Sequence, residues 1–372
     1  MTRLPVAVIG TSWWADAMYM PALTASPLAQ VVAVCGRDRS RTERFAERWR
    51  VPRACTDPQE VLDPELCRAV VIASPNDTHR ELAWTALDRG LHVLCEKPLA
   101  LTYADAAALA RLASRVGATT LVPFTYRYMP TTRFVKRLID EGYLGRPHHL
   151  NMRYFCGFGM SGEYLWRMDR ARAGSGVLGD LGSHFLHLAE WFFGDVRAVA
   201  CELGTLVSRP AVDPTGLPYE PADDVAVIVL RFANGARGVI HVSAVAHEPT
   251  PFAQIHEMDL HGSEGTLHHV IDWDRRQEVR GSRTGEDAIR VLPVPDDLWD
   301  GGPRAPVKAT YHDVFRRQGK MVGEFVAAAL QGREVRPDFG DGARVQLLIE
   351  AALRSAADGR VVGVEELESE VG

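Results

Sequence analysis

The first third of the chain is constrained most by a succession of short apolar runs, each followed by a stretch of helical character. The runs are Pro5–Ile9, Val31–Cys35, Ala69–Ala73, Leu91–Cys95 and Thr119–Val122. A strand apolar on both faces must be covered on both, which is the signature of a parallel sheet flanked by helices. The intervening segments supply the cover: one helical to about Ala25, one from about Thr78 to Arg89, and an alanine-rich one from Tyr103 to Val116. This pattern predicts an N-terminal Rossmann-type, doubly wound α/β domain over residues 1–124.

In such a sheet, ligands bind outside the carboxyl ends of the strands. The first run leads into Gly10-Thr11-Ser12-Trp13-Trp14-Ala15, a G-x-S-x-x-A variant of the dinucleotide fingerprint G-x-G-x-x-G/A. Gly10 suits the tight turn, Ala15 suits close helix packing, and Ser12 replaces the glycine that lets backbone approach a pyrophosphate. Trp13 and Trp14 open the helix, and one of them is expected in the domain core. The second run ends in Gly36-Arg37-Asp38, where NAD-preferring sites carry an acid for the ribose hydroxyl. Arg37, with Arg39 or Arg41, suits a 2'-phosphate and favours NADP; Asp38 keeps NAD open. The third run ends in Ser74-Pro75-Asn76-Asp77-Thr78-His79, with Asn76 or Asp77 placed to cap the next helix. The fourth delivers Glu96-Lys97-Pro98. Lysine is scarce in this chain, occurring only at Lys97, Lys136, Lys308 and Lys320. Unlike arginine, lysine can give up its proton when its surroundings demand it. Lys97 at a strand end is therefore a candidate for proton chemistry, or else a surface partner of Glu96.

With the fingerprint variant, Ser74-Pro75-Asn76 and Glu96-Lys97-Pro98 in register, the chain resembles the Gfo/Idh/MocA oxidoreductases, the family of glucose-fructose oxidoreductase and inositol dehydrogenase. The resemblance runs on through Tyr126-Arg127, Trp166-Arg167 and Gly176-Val177-Leu178-Gly179-Asp180-Leu181-Gly182-Ser183-His184, and covers essentially the whole chain. It implies a catalytic group of Lys97, Asp180 and His184. It also implies that Gly10, Ser12, Trp13, Arg37, Ser74, Asn76, Glu96 and Arg127 lie against the cofactor; Trp14, Asp38, His79 and Lys97 itself are counted with them. Ser12 stands where many members have glycine, and His187 where many have aspartate.

Residues 125–372 read as a second, α+β domain for substrate binding and oligomerisation. A helix is expected over about Thr131–Glu141, then strands from His148 to Phe155 and over Val225–Phe232, Ala236–Val245, Gln254–His261 and Gly265–Val270. Asn234-Gly235 is a hairpin signal. These make a large, mostly antiparallel open sheet whose uncovered face suits a homodimer or homotetramer. A helix over Asp180–Phe193 carries an apolar stripe (Leu181, Phe185, Leu188, Phe192) beside a polar one (Asp180, His184, His187). The four-residue step puts Asp180 beside His184, where a carboxylate raises and orients an imidazole for acid–base work. Asp180 as a helix cap and His184 as a satisfied buried histidine are the plainer alternatives. A metal on Asp180, His184 and His187 lacks a further ligand cluster and is not expected. Segments 208–222 and 281–307 read as loops, and two closing helices are expected at about Tyr311–Leu330 and Gly342–Ala357.

Composition narrows the classes. At 46% hydrophobic, 24% charged and a formal net charge of -6, the chain offers no basic footprint for nucleic acid and no basic helix for a membrane surface. Its six cysteines are scattered without C-x-x-C spacing, and no leader peptide or bilayer-length apolar run is evident, so a cytoplasmic setting is expected. The expected activity is NAD(P)-dependent hydride transfer at a hydroxyl or carbonyl carbon of a sugar, sugar derivative or cyclitol. His184 would move the proton, Lys97 would donate to the same oxygen, and Asp180 would orient His184 and hold Lys97. Tyr126, Arg127, Trp166 and Arg167 are candidate substrate or nicotinamide contacts, with Asp180 and His184. The alternatives are a glycosidase with self-recycling NAD and, less favoured, a non-catalytic dinucleotide-sensing regulator.

Overall fold

The computed structural model describes residues 2–247 and 254–371. The chain divides into two compact units, Met1–Pro123 with His312–Gln346, and Phe124–Tyr311 with Leu347–Gly372.

The first unit holds a six-stranded sheet of β1 (Leu4–Ile9), β2 (Ala29–Cys35), β3 (Ala54–Cys55), β4 (Ala69–Ile72), β5 (His92–Cys95) and β6 (Thr120–Leu121). The order is β3-β2-β1-β4-β5-β6, and every pairing is parallel. Chain direction across the sheet reverses between β1 and β4, the switch point at which doubly wound sheets bind ligands. The register sharpens this. Ile9 pairs with Cys35 and Ile72, and Ile72 pairs with Cys95, so the last residues of β2, β1, β4 and β5 form one row. Gly36, Gly10, Ser74 and Glu96-Lys97 therefore emerge from one edge. The strands are apolar because both faces are covered: Val6, Val8, Val70, Val71, Val93 and Leu94 have no exposed surface.

A contiguous domain over 1–124 and another over 125–372 is simpler than this division, because residues 312–346 pack with the first unit. Thr119 Oγ1 donates to the Arg333 carbonyl (3.1 Å), and the Phe339 amide donates to Thr120 Oγ1 (3.2 Å). The Val122 amide donates to the Pro337 carbonyl (2.9 Å). Nor is Tyr311–Leu330 one helix. It comprises Val307–His312, a π-turn over Asp313–Arg317 and a helix over Val322–Gln331. Gly319 and Met321 both take positive φ (61° and 70°), which breaks the helical path.

The second unit carries a nine-stranded sheet ordered β14-β13-β12-β11-β7-β10-β9-β8-β15. Its strands are β7 (Pro147–Phe155), β8 (Val196–Gly204), β9 (Val225–Phe232), β10 (Arg237–Ser243), β11 (Ile255–Gly262), β12 (Gly265–Asp272), β13 (Arg276–Arg283), β14 (Arg290–Val291) and β15 (Val362–Gly363). The β7–β10 pair is parallel and the remaining pairs are antiparallel. Asn234-Gly235 makes the β9–β10 turn, with Asn234 Oδ1 accepting the Ala236 amide (3.0 Å). Burial alternates along β9 and β10, as expected of a sheet with one face on helices. The helices Pro130–Asp140 and Ser183–Phe193 lie on that face. Segment 281–307, expected as loop, contains the end of β13, then β14 and the short helix Asp296–Trp299. Hydrogen bonds across β12–β13 override its polar, turn-rich composition.

Candidate active site

The candidate residues of the first unit cluster at the row of strand ends. Gly10 has φ of +111°, and a Cβ there would fall 2.3 Å from the Ala73 carbonyl oxygen, so only glycine fits. Ser12 turns its hydroxyl inward, accepting the Ala15 amide (3.3 Å) at the start of the π-turn Ala15–Tyr19. A Cβ at Gly36 would lie 2.5 Å from Thr42 Oγ1 and 2.7 Å from Thr11 Oγ1, so the threonines crowd the position where NAD-preferring sites carry an acid and would have to shift to admit one. Arg37 is exposed beside it. Asp38 caps the helix Arg39–Trp49 by accepting the Arg41 amide (2.7 Å), and Arg41 Nε donates to the Thr11 carbonyl (3.1 Å) across the turn. A glycine-tight turn, small side chains and cationic groups at the switch point fit a dinucleotide.

The tryptophans differ. Trp13 is 65% exposed, whereas Trp14 is half-buried and its indole N–H donates to Glu96 Oε1 (2.5 Å). The Tyr19 hydroxyl donates to the same oxygen, and Glu96 Oε2 accepts the Lys97 amide (3.2 Å). Glu96 is thus a fixed bracket that sets the backbone from which Lys97 projects. His79 is a second bracket. It has no exposed surface; Nδ1 lies 2.8 Å from the Pro98 carbonyl and Nε2 3.0 Å from that of Ser74. Burial holds its imidazole below the usual histidine range, so the neutral ring donates its one N–H to one of these carbonyls and packs against the other, between the Ser74 loop and the Lys97-Pro98 loop. Ser74 Oγ shares a hydrogen bond with Thr78 Oγ1 (2.6 Å), and Asn76 is buried in the 3-10 turn Asn76–Thr78.

In the second unit, the expected helix Asp180–Phe193 begins differently. A π-turn spans Leu178–Gly182, and the α-helix occupies Ser183–Phe193. Glycines at 179 and 182 weaken the α-helical start. The wider π-turn alters the simple four-residue stacking of Asp180 on His184. Asp180 Oδ2 lies 3.6 Å from Arg167 Nε, and the Arg167 guanidinium sits 4.5 Å over the Trp166 ring. His184 is 7% exposed, with its ring 4.6 Å from that of Tyr126 and edge-on to Phe124 at 6.2 Å. The Tyr126 hydroxyl is engaged with Tyr154 Oη (2.8 Å) and Gln254 Oε1 (3.1 Å), and Tyr154 also donates to Gln254 Oε1 (2.9 Å). Burial drives both phenols well above their ordinary range, so they stay protonated. Tyr126 is therefore a braced wall for His184.

Arg127 donates to His187 Nε2 (3.1 Å) and stacks 4.5 Å over Trp191. His187 is also stacked on Phe124 at 4.4 Å. Burial, reinforced by the Arg127 charge, pushes its imidazole well below the usual range. Among the described residues, no group of three or more His, Cys, Asp or Glu is arranged to hold a metal ion. Tyr154, Gln254 and the fully buried His256, whose ring lies 4.4 Å from Tyr126, escaped the sequence reading. For Tyr154 and His256 the one signal was a polar side chain at an inward position of a strand, which requires a register to recognise; Gln254 stands just ahead of β11.

Two family profiles match. Residues 4–124 match the oxidoreductase family with NAD-binding Rossmann fold, and residues 132–268 match the GFO/IDH/MocA C-terminal domain. Levoglucosan dehydrogenase of Pseudarthrobacter phenanthrenivorans is 27% identical over 99% of this chain and 100% of that protein. Myo-inositol 2-dehydrogenase of Thermotoga maritima is 26% identical over 91% of this chain and 92% of its own length. A levoglucosan dehydrogenase structure in complex with NADH and levoglucosan superposes with a TM-score of 0.86 at 26% identity, covering 98% of this chain and 100% of the other. Together with the doubly wound sheet, the Gly10 turn at its switch point and the open second sheet, these place the chain in the Gfo/Idh/MocA family, as an oxidoreductase with an NAD-binding Rossmann fold.

Proposed function

We propose that Lys97, Asp180 and His184 carry the acid–base chemistry of this oxidoreductase, and that its preferred cofactor is NADP. The observation that carries the reading is the row of strand ends, which sets Lys97, braced by Glu96, on the same edge as the Gly10 turn. Gly10, Ser12, Arg37, Ser74 and Asn76 would hold the dinucleotide. When bound, its nicotinamide exchanges a hydride with the substrate carbon. In the oxidative direction His184 takes the hydroxyl proton, Lys97 stabilises charge developing on that oxygen, and Asp180 orients the imidazole. Tyr126 supports His184 from behind, while Trp166 and Arg167 offer an aromatic face and a cation to a polyhydroxylated substrate.

NADP is supported by glycine at position 36, crowded by the Thr11 and Thr42 side chains, the exposure of Arg37 and the use of Asp38 as a helix cap. A cytoplasmic setting and a homo-oligomer are part of the proposal. The first is supported by six cysteines that are all buried free thiols. The second is supported by exposed Val229 and Val239 on the uncovered face of the sheet. The test is titration of stripped protein with NADPH and NADH, followed by turnover on sugars and cyclitols. Binding with reversible turnover is expected. For Arg37→Ala, the NADPH/NADH ratio of kcat/KM should fall by about 10-fold or more, as for a lost charge-assisted phosphate contact. An unchanged ratio would refute the phosphate role. Release of a glycan leaving group without net change in cofactor absorbance would favour a self-recycling glycosidase instead.

A further inference from the structure

We infer that Asp223, a carboxylate outside the proposed chemistry, is a positioning residue for Asp180; this rests on the role proposed for Asp180 above. Asp223 lies just ahead of β9 and is 2% exposed. A carboxylate so buried must have its oxygens occupied. Oδ1 accepts the Gly176 amide (2.7 Å) and Oδ2 the Leu178 amide (2.8 Å). Its backbone carbonyl accepts the amide between them, that of Val177 (3.0 Å). One residue thereby takes successive amides of the turn that leads into Asp180. The Asp180 amide then donates to the Gly176 carbonyl (3.0 Å), which fixes the carboxylate's starting point. The approach is so close that a Cβ on Gly176 would fall 1.9 Å from the Asp223 carbonyl oxygen.

The same short segment also holds the partner of Asp180. The Ala222 amide donates to the Met168 carbonyl (2.9 Å), and the Arg170 amide donates to the Glu220 carbonyl (3.0 Å). These bonds hang the turn Trp166–Met168, and with it Arg167, from the residues that hold Asp180. Asp224 anchors the segment in the sheet, its amide donating to the Gly204 carbonyl (2.7 Å) and its carbonyl accepting the Ala244 amide (3.0 Å). Both members of the Asp180–Arg167 pair are thus referenced to the entrance of β9. Asn at position 223 would turn an amide N–H₂ toward a backbone N–H and release one arm of the clamp.

The experiment compares Asp223→Asn, Asp180→Asn and Leu230→Ala, the last a cavity in β9 that leaves the clamp intact. Measured on the full-length enzyme are kcat, the NADPH Kd and the pH profile of kcat/KM for oxidation. Among the described residues, Tyr126 faces His184 with its ring 4.6 Å away, and Asp180 and His187 precede and follow it on its own segment. Arg167 stands against Asp180, and Arg127 against His187. Moving or neutralising the Asp180 carboxylate lowers the imidazole pKa, so the rising limb shifts to lower pH. Asp223→Asn is expected to shift it in the same direction as Asp180→Asn, with kcat down about 10- to 100-fold and cofactor Kd kept. Leu230→Ala is expected to lower Tm and leave the limb in place. Asp223→Ser, which keeps one acceptor, takes the same comparison if Asp223→Asn is not recovered folded. A limb at its wild-type position in the Asp223 variant, while Asp180→Asn moves it, overturns the inference. A shift in Leu230→Ala overturns it too, because the limb would then report general loosening. An unmoved limb in Asp180→Asn refutes the role of Asp180 itself, and the inference falls with it.

Discussion

Lys97 and the buried histidines show how much hangs on single protons. Lys97→Ala should lower kcat by about 100-fold or more, in the range of a lost acid–base or oxyanion donor, with cofactor Kd little changed. Lys97→Arg should not restore the rate, because a planar guanidinium on a longer side chain cannot place its charge where the compact ammonium meets the developing oxyanion. Normal turnover in either variant, followed by absorbance of the reduced cofactor, would refute the assignment. The histidines bear on stability. His269 is 1% exposed, and burial depresses its pKa to about 3; His256 is held well below the usual value, chiefly by burial. Both are neutral in the fold, whereas the unfolded chain protonates them near pH 6.5. Their stability contribution is therefore present above that pH and is lost as pH falls toward the folded value. By linkage, a histidine kept neutral at pH 5 costs about 2 kcal/mol relative to neutral pH. Urea midpoints at about pH 7.5 and pH 5 should fall less steeply for His269→Gln than for wild type.

At the scale of elements, the brackets matter more than the strands. His79 joins the loop after β4 to the loop after β5, and Glu96 fixes the end of β5 through Trp14 and Tyr19. His79→Leu removes the one hydrogen bond the neutral ring donates and leaves that carbonyl buried and unpaired. A loss of about 1–3 kcal/mol is expected, with a raised KM for cofactor, read by denaturant unfolding and steady-state kinetics. A purely packing role would lower stability and leave KM alone. The elements themselves were largely legible. The helix Tyr103–Val116 and the strand Val225–Phe232 stand at the residues where alternation and helical spacing put them. The start of the Asp180 segment was not. Periodicity sees the apolar stripe of Leu181 to Phe192, but it does not distinguish α from π at residues 178–182, where glycines at 179 and 182 weaken the α-helical start and Asp223 holds the amides just ahead of it.

Within the first unit, residues 312–346 complete what residues 1–123 begin. They bring Phe315, Val322, Phe325 and Phe339, each almost wholly buried, along with the bonds to Thr119, Thr120 and Val122. Burying such side chains contributes roughly 1.5–3 kcal/mol apiece, a large fraction of the typical ~5–15 kcal/mol stability of a domain. A fragment of residues 1–124 should therefore lack a cooperative unfolding transition. The same fragment joined by a short linker to residues 312–346 should unfold cooperatively and bind cofactor. Cooperative unfolding of the shorter fragment, seen by circular dichroism, would show that the returning segment is dispensable.

The sequence by itself determined what depends on neighbours along the chain. Apolar runs of strand length alternating with helical segments dictate a doubly wound sheet, and the ends of those runs mark where Gly10, Ser74 and Lys97 must emerge. Asn234-Gly235 likewise dictates its hairpin, because a tight turn between strands is a local property. Only the tertiary structure decided which side chains far apart in sequence meet. It tied Trp14 to Glu96 across 82 residues, set Asp223 against Gly176 across 47, and returned Arg333 to Thr119 across 214. Such contacts depend on register and on the geometry of close packing, which hydrophobic period does not encode. They hold the residues proposed for the chemistry in place.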